Sequence, residues 1–278
     1  MSTQLQKDAM PWAIQLEHLR LGYGTHVVLD KVDTSIEGAR ITVILGESGG
    51  GKSTLLRHVI GLSAPMQGRI LYGGKDLFAL PPRQFRRARR RFGVLFQDGA
   101  LLGSLTLAEN VGLPLSENTT LSKDTIRKAV LRTLKLVGLE EFADFYPNQL
   151  SGGMRKRGGL ARAIVTEPPI LFCDEPTSGL DPINAAQMDQ LLLDMKKQFP
   201  DMTIVVVSHD MASVARIADN VLVIGNGTLL FSGDYQTLIT SDDPYLRNFV
   251  ERKSEEHALE AEPADPAVRA ALAEWLQQ

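Results

Sequence analysis

Short apolar runs rich in β-branched residues recur along the chain and predict buried strands. Residues 54–62 and 183–199 have apolar positions at helical spacing, which predicts helices between those strands. Strands that alternate with helices are typical of an α/β domain with a mostly parallel sheet. The runs that carry this prediction lie at 41–45, 92–96, 170–173, 203–207 and 221–224.

The region before this core has shorter apolar segments. Residues 14–19 alternate apolar and polar positions like an edge strand, and 27–29 starts another short strand. We interpret 21–24, which contains two glycines, as a turn between them. Residues 1–12 are predicted to form a disordered tail.

Two further regions differ from the alternating core. Residues 98–165 carry mostly helical patterns, which predicts a helical insert within the domain at 13–240. Asn226-Gly227 between apolar runs indicates a hairpin near the end of that domain. The extension at 241–278 combines a short helix, an acidic linker and an amphipathic segment at 266–276.

Composition limits the function classes. The chain has 278 residues, 44% of them apolar, and a net charge of −3, so no bulk attraction to nucleic acid is expected. Cys173 is the only cysteine, which excludes an internal disulfide. No window approaches the roughly 18 consecutive apolar residues of a membrane span. We therefore expect a soluble chain whose membrane role, if it has one, comes through partners.

A glycine-rich stretch follows the strand predicted at 41–45. It fits the phosphate-binding pattern G-x-x-x-x-G-K-[ST] at each fixed position, and a helical pattern begins directly after it. Glycines let successive N–H groups point at phosphate oxygens, while Lys52 can reach the β- and γ-phosphates and Ser53 can ligate Mg²⁺. The stretch comprises Gly46, Glu47, Ser48, Gly49, Gly50, Gly51, Lys52 and Ser53.

Polar residues end three other predicted strands. Asp174 and Glu175 follow one apolar run, and a carboxylate at that place can hold Mg²⁺ while its neighbour deprotonates an attacking water. Gln97 and His209 end two more strands, where ligand-contacting groups lie in open α/β sheets. We expect all four side chains near the bound phosphates.

Three further features have a structural and a functional interpretation. Ser151-Gly152-Gly153 can cap a helix or bind an anion at its N-terminus, with basic residues following at 155–157. Tyr23 can stack on a nucleobase or pack as an ordinary aromatic. The arginine-rich run at 83–91 can bind acidic lipid headgroups or nucleic acid, but we favour a solvated helix face.

Together these motifs resemble the ATP-binding subunit of ABC transporters over residues 13–240. The resemblance implies a P-loop NTPase core with an N-terminal antiparallel β subdomain and an inserted α-helical subdomain. The family's usual Leu-Ser-Gly-Gly-Gln signature has Met154 as its last residue here, while Ser151, Gly152 and Gly153 are retained. Two such subunits would sandwich two ATP molecules, and each signature would contact the nucleotide held by the other copy.

The resemblance also implies a role for each motif residue. Glu175 would be catalytic, with His209 as the switch histidine and Gln97 as the glutamine switch. Ser53, Gln97 and Asp174 would hold Mg²⁺. The residues that would bind ATP are Tyr23, the whole Gly46–Ser53 stretch with Thr54, Ser151, Gly152, Gly153 and Asp181.

A narrower resemblance concerns the cargo. Phe96-Gln97-Asp98-Gly99-Ala100-Leu101 together with Leu-Ser-Gly-Gly-Met resembles the ATPase of Mla-type phospholipid transport. That family implies permease subunits, an MCE-type lipid-binding protein, a small STAS-domain protein and the cytoplasmic face of the inner membrane. The alternatives are another cargo, such as an amino acid, an ion or a lipoprotein, or a non-transport ABC ATPase acting on nucleic acid or the ribosome.

Overall fold

The structure is a computed structural model, and it describes residues 12–47 and 49–251. The strands are β1 (Ile14–Tyr23), β2 (His26–Ile36), β3 (Ile41–Gly46), β4 (Gln67–Tyr72), β5 (Lys75–Asp76), β6 (Phe92–Leu95), β7 (Ile170–Asp174), β8 (Thr203–Val207), β9 (Asn220–Gly225) and β10 (Thr228–Asp234). The helices are α1 (Lys52–Val59), α2 (Pro82–Arg89), α3 (Leu107–Asn118), α4 (Lys123–Leu136), α5 (Gly152–Ile164), α6 (Pro182–Gln198), α7 (Met211–Ile217), α8 (Tyr235–Ile239) and α9 (Pro244–Glu251).

A six-stranded sheet forms the centre of the domain, with strand order β10-β9-β3-β8-β7-β6. Five of these strands run parallel, and β10 pairs antiparallel with β9. Strands buried on both faces read as continuous apolar runs, and β3 and β8 are buried at every position. The predicted α/β core is therefore confirmed.

A second sheet is antiparallel and four-stranded, with order β2-β1-β4-β5. Its inner face shares one apolar core with α1 and the central sheet, in which Leu16, Leu29, Leu56 and Phe172 are almost inaccessible. The helical insert contributes α3, α4 and α5 between β6 and β7. The N-terminal β subdomain and the insert that the family resemblance implied are both present.

The structure changes three details predicted for the N-terminal region. β1 is not an edge strand, because β4 pairs with it from about 50 residues later in the chain. The turn predicted at 21–24 is confined to Gly24 and Thr25, because β1 continues as far as Tyr23, and β2 is a long strand. Gly22 allows the backbone of His26 to come close, since a Cβ at position 22 would lie 2.0 Å from the His26 carbonyl oxygen. Trp12, placed in the predicted tail, packs against the core with the Arg91 guanidinium 5.1 Å from its ring centroid.

Helix-cap, hairpin and exposed-helix predictions made from a few neighbouring residues agree with the structure. Ser122 caps α4, and Gly138 just beyond that helix has φ +67°. Asn226 and Gly227 both have positive φ, as a type I′ hairpin requires. The arginine-rich run forms α2, which has no buried residue.

Two compact units divide the chain, residues 1–240 and 241–278. The second contains α9, where the Asp243 carboxylate accepts hydrogen bonds from the N–H groups of Tyr245 and Leu246. The linker at 254–264 and the amphipathic segment at 266–276 lie outside the described residues, as does most of the predicted tail.

Candidate active site

The loop between β3 and α1 is shaped by close backbone contacts. A Cβ on Gly46 would lie 2.2 Å from the Ile224 carbonyl oxygen. Gly51, the residue before α1, has φ +102° and leaves no room for a side chain against Leu29. The chain therefore turns from a central strand directly into a helix N-terminus, where free N–H groups favour an anion. Ser48, in this loop, lies outside the described residues.

Lys52 reaches back across this loop. Its side chain is 5% exposed, and Nζ donates hydrogen bonds to the carbonyl oxygens of Gly46 and Glu47, both at 2.9 Å. Burial lowers the pKa of Lys52, and the charges of Glu175, Asp174 and Glu47 oppose that shift. The ammonium group is thus held at the centre of the loop, where phosphate oxygens would complete its coordination.

Ser53 and Asp174 place two oxygen ligands side by side. The Ser53 hydroxyl lies 3.5 Å from Asp174 Oδ1. Burial and the nearby Glu175 raise the pKa of Asp174, while Ser53, Arg57 and Lys52 lower it. Within residues 12–47 and 49–251, no cluster of three or more His, Cys, Asp or Glu could hold a metal by itself. The Ser53 hydroxyl and the Asp174 carboxylate are oxygen ligands of the kind that Mg²⁺ takes, one or two from protein together with substrate phosphates and water.

Glu175 and His209 touch. His209 Nδ1 lies 2.5 Å from Glu175 Oε2, and the Glu175 carboxylate is largely buried whereas the histidine is half exposed. The Glu175 backbone has φ +50°, and its N–H donates to the Val207 carbonyl oxygen at 3.0 Å. A left-handed backbone at a non-glycine residue is uncommon, and such strain concentrates at functional sites.

Neighbouring strands explain why these groups meet. β3, β8, β7 and β6 lie next to one another in that order and run parallel, so their carboxyl ends share one edge of the sheet. A predicted site residue or motif lies at each of these four ends. They are the phosphate loop (Gly46–Ser53) at β3, His209 at β8, the Asp174-Glu175 pair at β7 and Gln97 at β6. Gln97 is exposed at the far side of the row, after an edge strand.

The Ser151–Gly153 segment, called here the signature turn, lies on the helical insert. Ser151 is exposed, and its hydroxyl accepts a hydrogen bond from the Met154 N–H, so it caps α5 as predicted. A Cβ on Gly153 would lie 3.7 Å from Leu180 and Asn184 side-chain atoms, which places the turn beside the start of α6. There Asp181 accepts hydrogen bonds from the N–H groups of Ile183 and Asn184, and bonding to Asn184 lowers its pKa.

Tyr23 ends β1 with its side chain 45% exposed. Its ring centroid lies 6.0 Å from that of His58, a fully buried residue of α1. The His58 ring is held by a hydrogen bond from Nδ1 to the Thr54 carbonyl oxygen at 2.7 Å. The tyrosine ring is therefore about half exposed and lies beside His58 of α1, the helix that follows the phosphate loop.

Lys156 is a residue that sequence reasoning missed. In the sequence it is one of three consecutive basic residues, but in the structure it is buried and donates to the carbonyl oxygens of Glu175, at 3.0 Å, and Ser178, at 2.5 Å. One signal was available, because Lys156 shares a helical face with Leu160 and Ile164 at i+4 and i+8. A lysine on an apolar face needs buried partners.

Comparison with known proteins agrees with this geometry. The sequence model of the family described as ABC transporter matches residues 29–178, more than half of the chain. The chain belongs to the ABC transporter ATP-binding family. A solved structure of the ATP-binding cassette MJ0796, a dimer in a post-hydrolysis state bound to ADP and Pi, is 32% identical. It matches with a TM-score of 0.73 over 80% of this chain and 98% of that one.

Named relatives of this ABC ATPase differ in cargo. The probable ribonucleotide transport ATP-binding protein mkl of Mycobacterium leprae is 41% identical over 86% of this chain and 68% of its own length. The intermembrane phospholipid transport system ATP-binding protein MlaF of Haemophilus influenzae is 36% identical over 87% of this chain and 91% of its own. The chain thus spans about two thirds of the mycobacterial relatives it matches. In the part of the chain that the structure describes, no helix could cross a membrane.

Proposed function

We propose that this ABC ATPase powers phospholipid transport in the cell envelope through membrane permease subunits. The observation that carries the proposal is the extent of the match to MlaF, which covers 91% of that protein. The mkl match leaves about a third of that protein without a counterpart here. The cargo depends on the complete transporter. A match over most of the length of MlaF therefore favours the phospholipid assignment.

The site supports a division of labour in hydrolysis. The phosphate loop, including Glu47, Ser48, Gly49, Gly50 and Thr54, binds ATP, with Lys52 on the β- and γ-phosphates. Ser53, Asp174 and Gln97 would hold Mg²⁺, which would neutralise developing phosphate charge. Glu175 takes a proton from the attacking water. Tyr23 stacks on adenine.

His209 gives the site a switch. It contacts Glu175 in the structure, where an imidazole N–H takes up one of the two carboxylate oxygens. When His209 turns to the γ-phosphate, the base is released. Ser151, Gly152, Gly153 and Asp181 act on the nucleotide held by a second copy of the chain, which makes the homodimer the active form.

A groove between the central sheet and the helical insert fits a permease. Its volume is about 700 Å³, with apolar walls from Ile60, Phe92 and Phe96. Arginines form much of the rim: Arg86, Arg89, Arg90 and Arg162. An amphipathic cytoplasmic helix with acidic residues beside its apolar face complements this surface. Docking there places the ATPase at the cytoplasmic face of the inner membrane.

Further partners of the proposed complex are an MCE-type lipid-binding protein and a small STAS-domain protein. The 266–276 segment has apolar residues on one helical face, and we propose that it docks on a partner or on the second ATPase copy. A chain ending at Lys253 should then associate less well. Unchanged dimer and complex formation would contradict this role for the extension.

The decisive experiment is capture of the tagged, full-length chain from detergent-solubilised membranes, followed by lipid analysis of the complex. We expect permease subunits and bound phospholipid to co-purify. A complex with another small-molecule cargo, as the mkl name suggests for that relative, would overturn the phospholipid proposal and leave the ATPase assignment intact.

A further inference from the structure

α5 contacts two loops of the ATP site from opposite directions. On one side it packs against the loop that follows Gln97. A Cβ on Gly99 would lie 2.6 Å from the Arg155 carbonyl oxygen, and one on Gly159 would lie 2.6 Å from the Gly99 carbonyl oxygen. Arg162 adds hydrogen bonds to the carbonyl oxygens of Gly99 and Ala100. Backbone contacts this close leave little freedom for the loop to move without the helix.

On the other side, Lys156 joins α5 to residues 175–178, called here the 175–178 turn. The turn is closed by a hydrogen bond from the Ser178 N–H to the Glu175 carbonyl oxygen at 3.2 Å. Lys156 Nζ bonds the carbonyl oxygens at both ends of this turn. Two charge-assisted hydrogen bonds from one ammonium fix the turn relative to the helix.

The 175–178 turn needs such support, because Glu175 has a left-handed backbone. Strained conformations persist only where the surroundings over-determine them. The Glu175 N–H is fixed by Val207, and its carbonyl oxygen is fixed by Lys156 and Ser178. Its carboxylate position follows from this backbone.

Charge keeps the lysine in place. Burial lowers the pKa of Lys156, while the carboxylates of Asp98 and Glu175 oppose that shift. Asp98 belongs to the loop after Gln97, so the ammonium group is influenced from both loops that α5 contacts.

We propose that Lys156 is a positioning residue for ATP hydrolysis, which couples the loop after Gln97 to the 175–178 turn and sets the direction of the Glu175 carboxylate. The inference rests on the proposed role of Glu175. It does not require Lys156 to touch ATP, so its loss should affect turnover more than nucleotide binding.

The test uses the full-length chain with Lys156→Met, which keeps an unbranched side chain one atom shorter and removes the charge. We expect kcat to fall about tenfold while KM for ATP stays within about twofold, since small displacements of a catalytic group cost rate. Lys156→Arg should recover part of the loss. Amide exchange in peptides covering 174–181 should become faster in Lys156→Met.

Lys196→Met is the matched control. Lys196 also donates to two carbonyl oxygens, those of Pro200 and Met202, and burial lowers its pKa. It lies at the far end of α6, so its loss should lower the melting temperature without the selective loss of kcat. Parent kcat in Lys156→Met, or unchanged exchange at 174–181, would overturn the proposal. If Glu175→Gln kept parental turnover, the base assignment would fail instead, and the exchange result would still report on the coupling.

Discussion

The phosphate loop and the signature turn have the same local design but different surroundings. Each places glycines at the N-terminus of a helix, where N–H groups can bind an anion. Around the phosphate loop the fold adds a buried Lys52, the Ser53–Asp174 pair and the Glu175–His209 contact. The signature turn has an exposed Ser151 that caps its own helix. The first region brings together the groups that we propose for hydrolysis within one chain, whereas the second lies exposed at the surface.

We infer that the local sequence provides a helix N-terminus that can bind an anion. The order of the strands in the sheet brings the proposed catalytic groups together. The catalytic groups come from the ends of neighbouring strands, and the signature turn comes from the insert, next to the exposed start of α6. We propose that a second copy of the chain completes this exposed half-site, and the dimeric state in which MJ0796 was solved agrees with that proposal.

The largest expected effect comes from removing the base beside the phosphate loop. Glu175→Gln should lower kcat by about 100-fold or more while ATP binding persists, because general-base catalysis contributes at least that factor. Steady-state hydrolysis measures kcat, and a nucleotide-binding assay measures the affinity for ATP. Glu167→Gln is the control, since Glu167 also has a positive φ but forms an exposed ion pair with Arg132. Parental turnover in Glu175→Gln would remove the base role.

A mixing experiment tests whether the two regions belong to different chains of one site. Lys52→Ala and Ser151→Glu should each inactivate a homodimer. Mixed dimers carry one intact site if the signature acts across the interface, so a random mixture should regain up to about a quarter of parental activity. If each signature served its own chain, every site of the mixed dimer would be defective. An inactive mixture of folded dimers would therefore contradict the arrangement.

A smaller effect is expected at the edge of the phosphate-loop region. Tyr23→Ala should raise KM for ATP about tenfold with little change in kcat, because aromatic stacking on a base contributes roughly 1–3 kcal/mol. Tyr23→Phe should stay close to the parent. Tyr146→Ala is a matched control, since Tyr146 has the same 45% exposure but lies in the helical insert. Equal effects of the two alanine variants would contradict the stacking role.

The smallest effect concerns stability without nucleotide. The raised pKa of Asp174 means that the fold disfavours its charged form, and this cost is full at neutral pH and absent below 3.8, the ordinary pKa of an Asp side chain. Asp174→Asn should therefore raise the melting temperature by a few degrees at pH 7, and the gain should shrink as the pH falls toward 4. Asp124→Asn, at an exposed ion pair, should show no such gain. A gain independent of pH would contradict the burial argument.

Sequence patterns predicted what depends on neighbours along the chain. A few neighbouring residues specify the phosphate loop, the Ser151 cap and the Asn226-Gly227 hairpin. Continuous apolar runs indicate the buried strands. The sheet edge that collects Gln97, His209 and Glu175 was expected because parallel strands end together.

Contacts between distant segments could not be predicted in the same way. The alternation of residues 14–19 does not reveal that β4 covers β1, and Gly22 resembles a turn glycine until the His26 carbonyl lies against it. Lys156 resembles its basic neighbours until the 175–178 turn, about 20 residues later in the chain, supplies two carbonyl oxygens.

The left-handed backbone of Glu175 has a consequence for selection. Glycine occupies that conformation without cost, and asparagine tolerates it better than glutamate, so Glu175→Gly removes strain that costs on the order of 1 kcal/mol. A screen for thermal tolerance alone would therefore enrich substitutions at the residue that we propose as the base for hydrolysis. Thermal stability and the proposed catalytic role therefore favour different residues at this position. We expect glutamate to be retained there only under selection for transport.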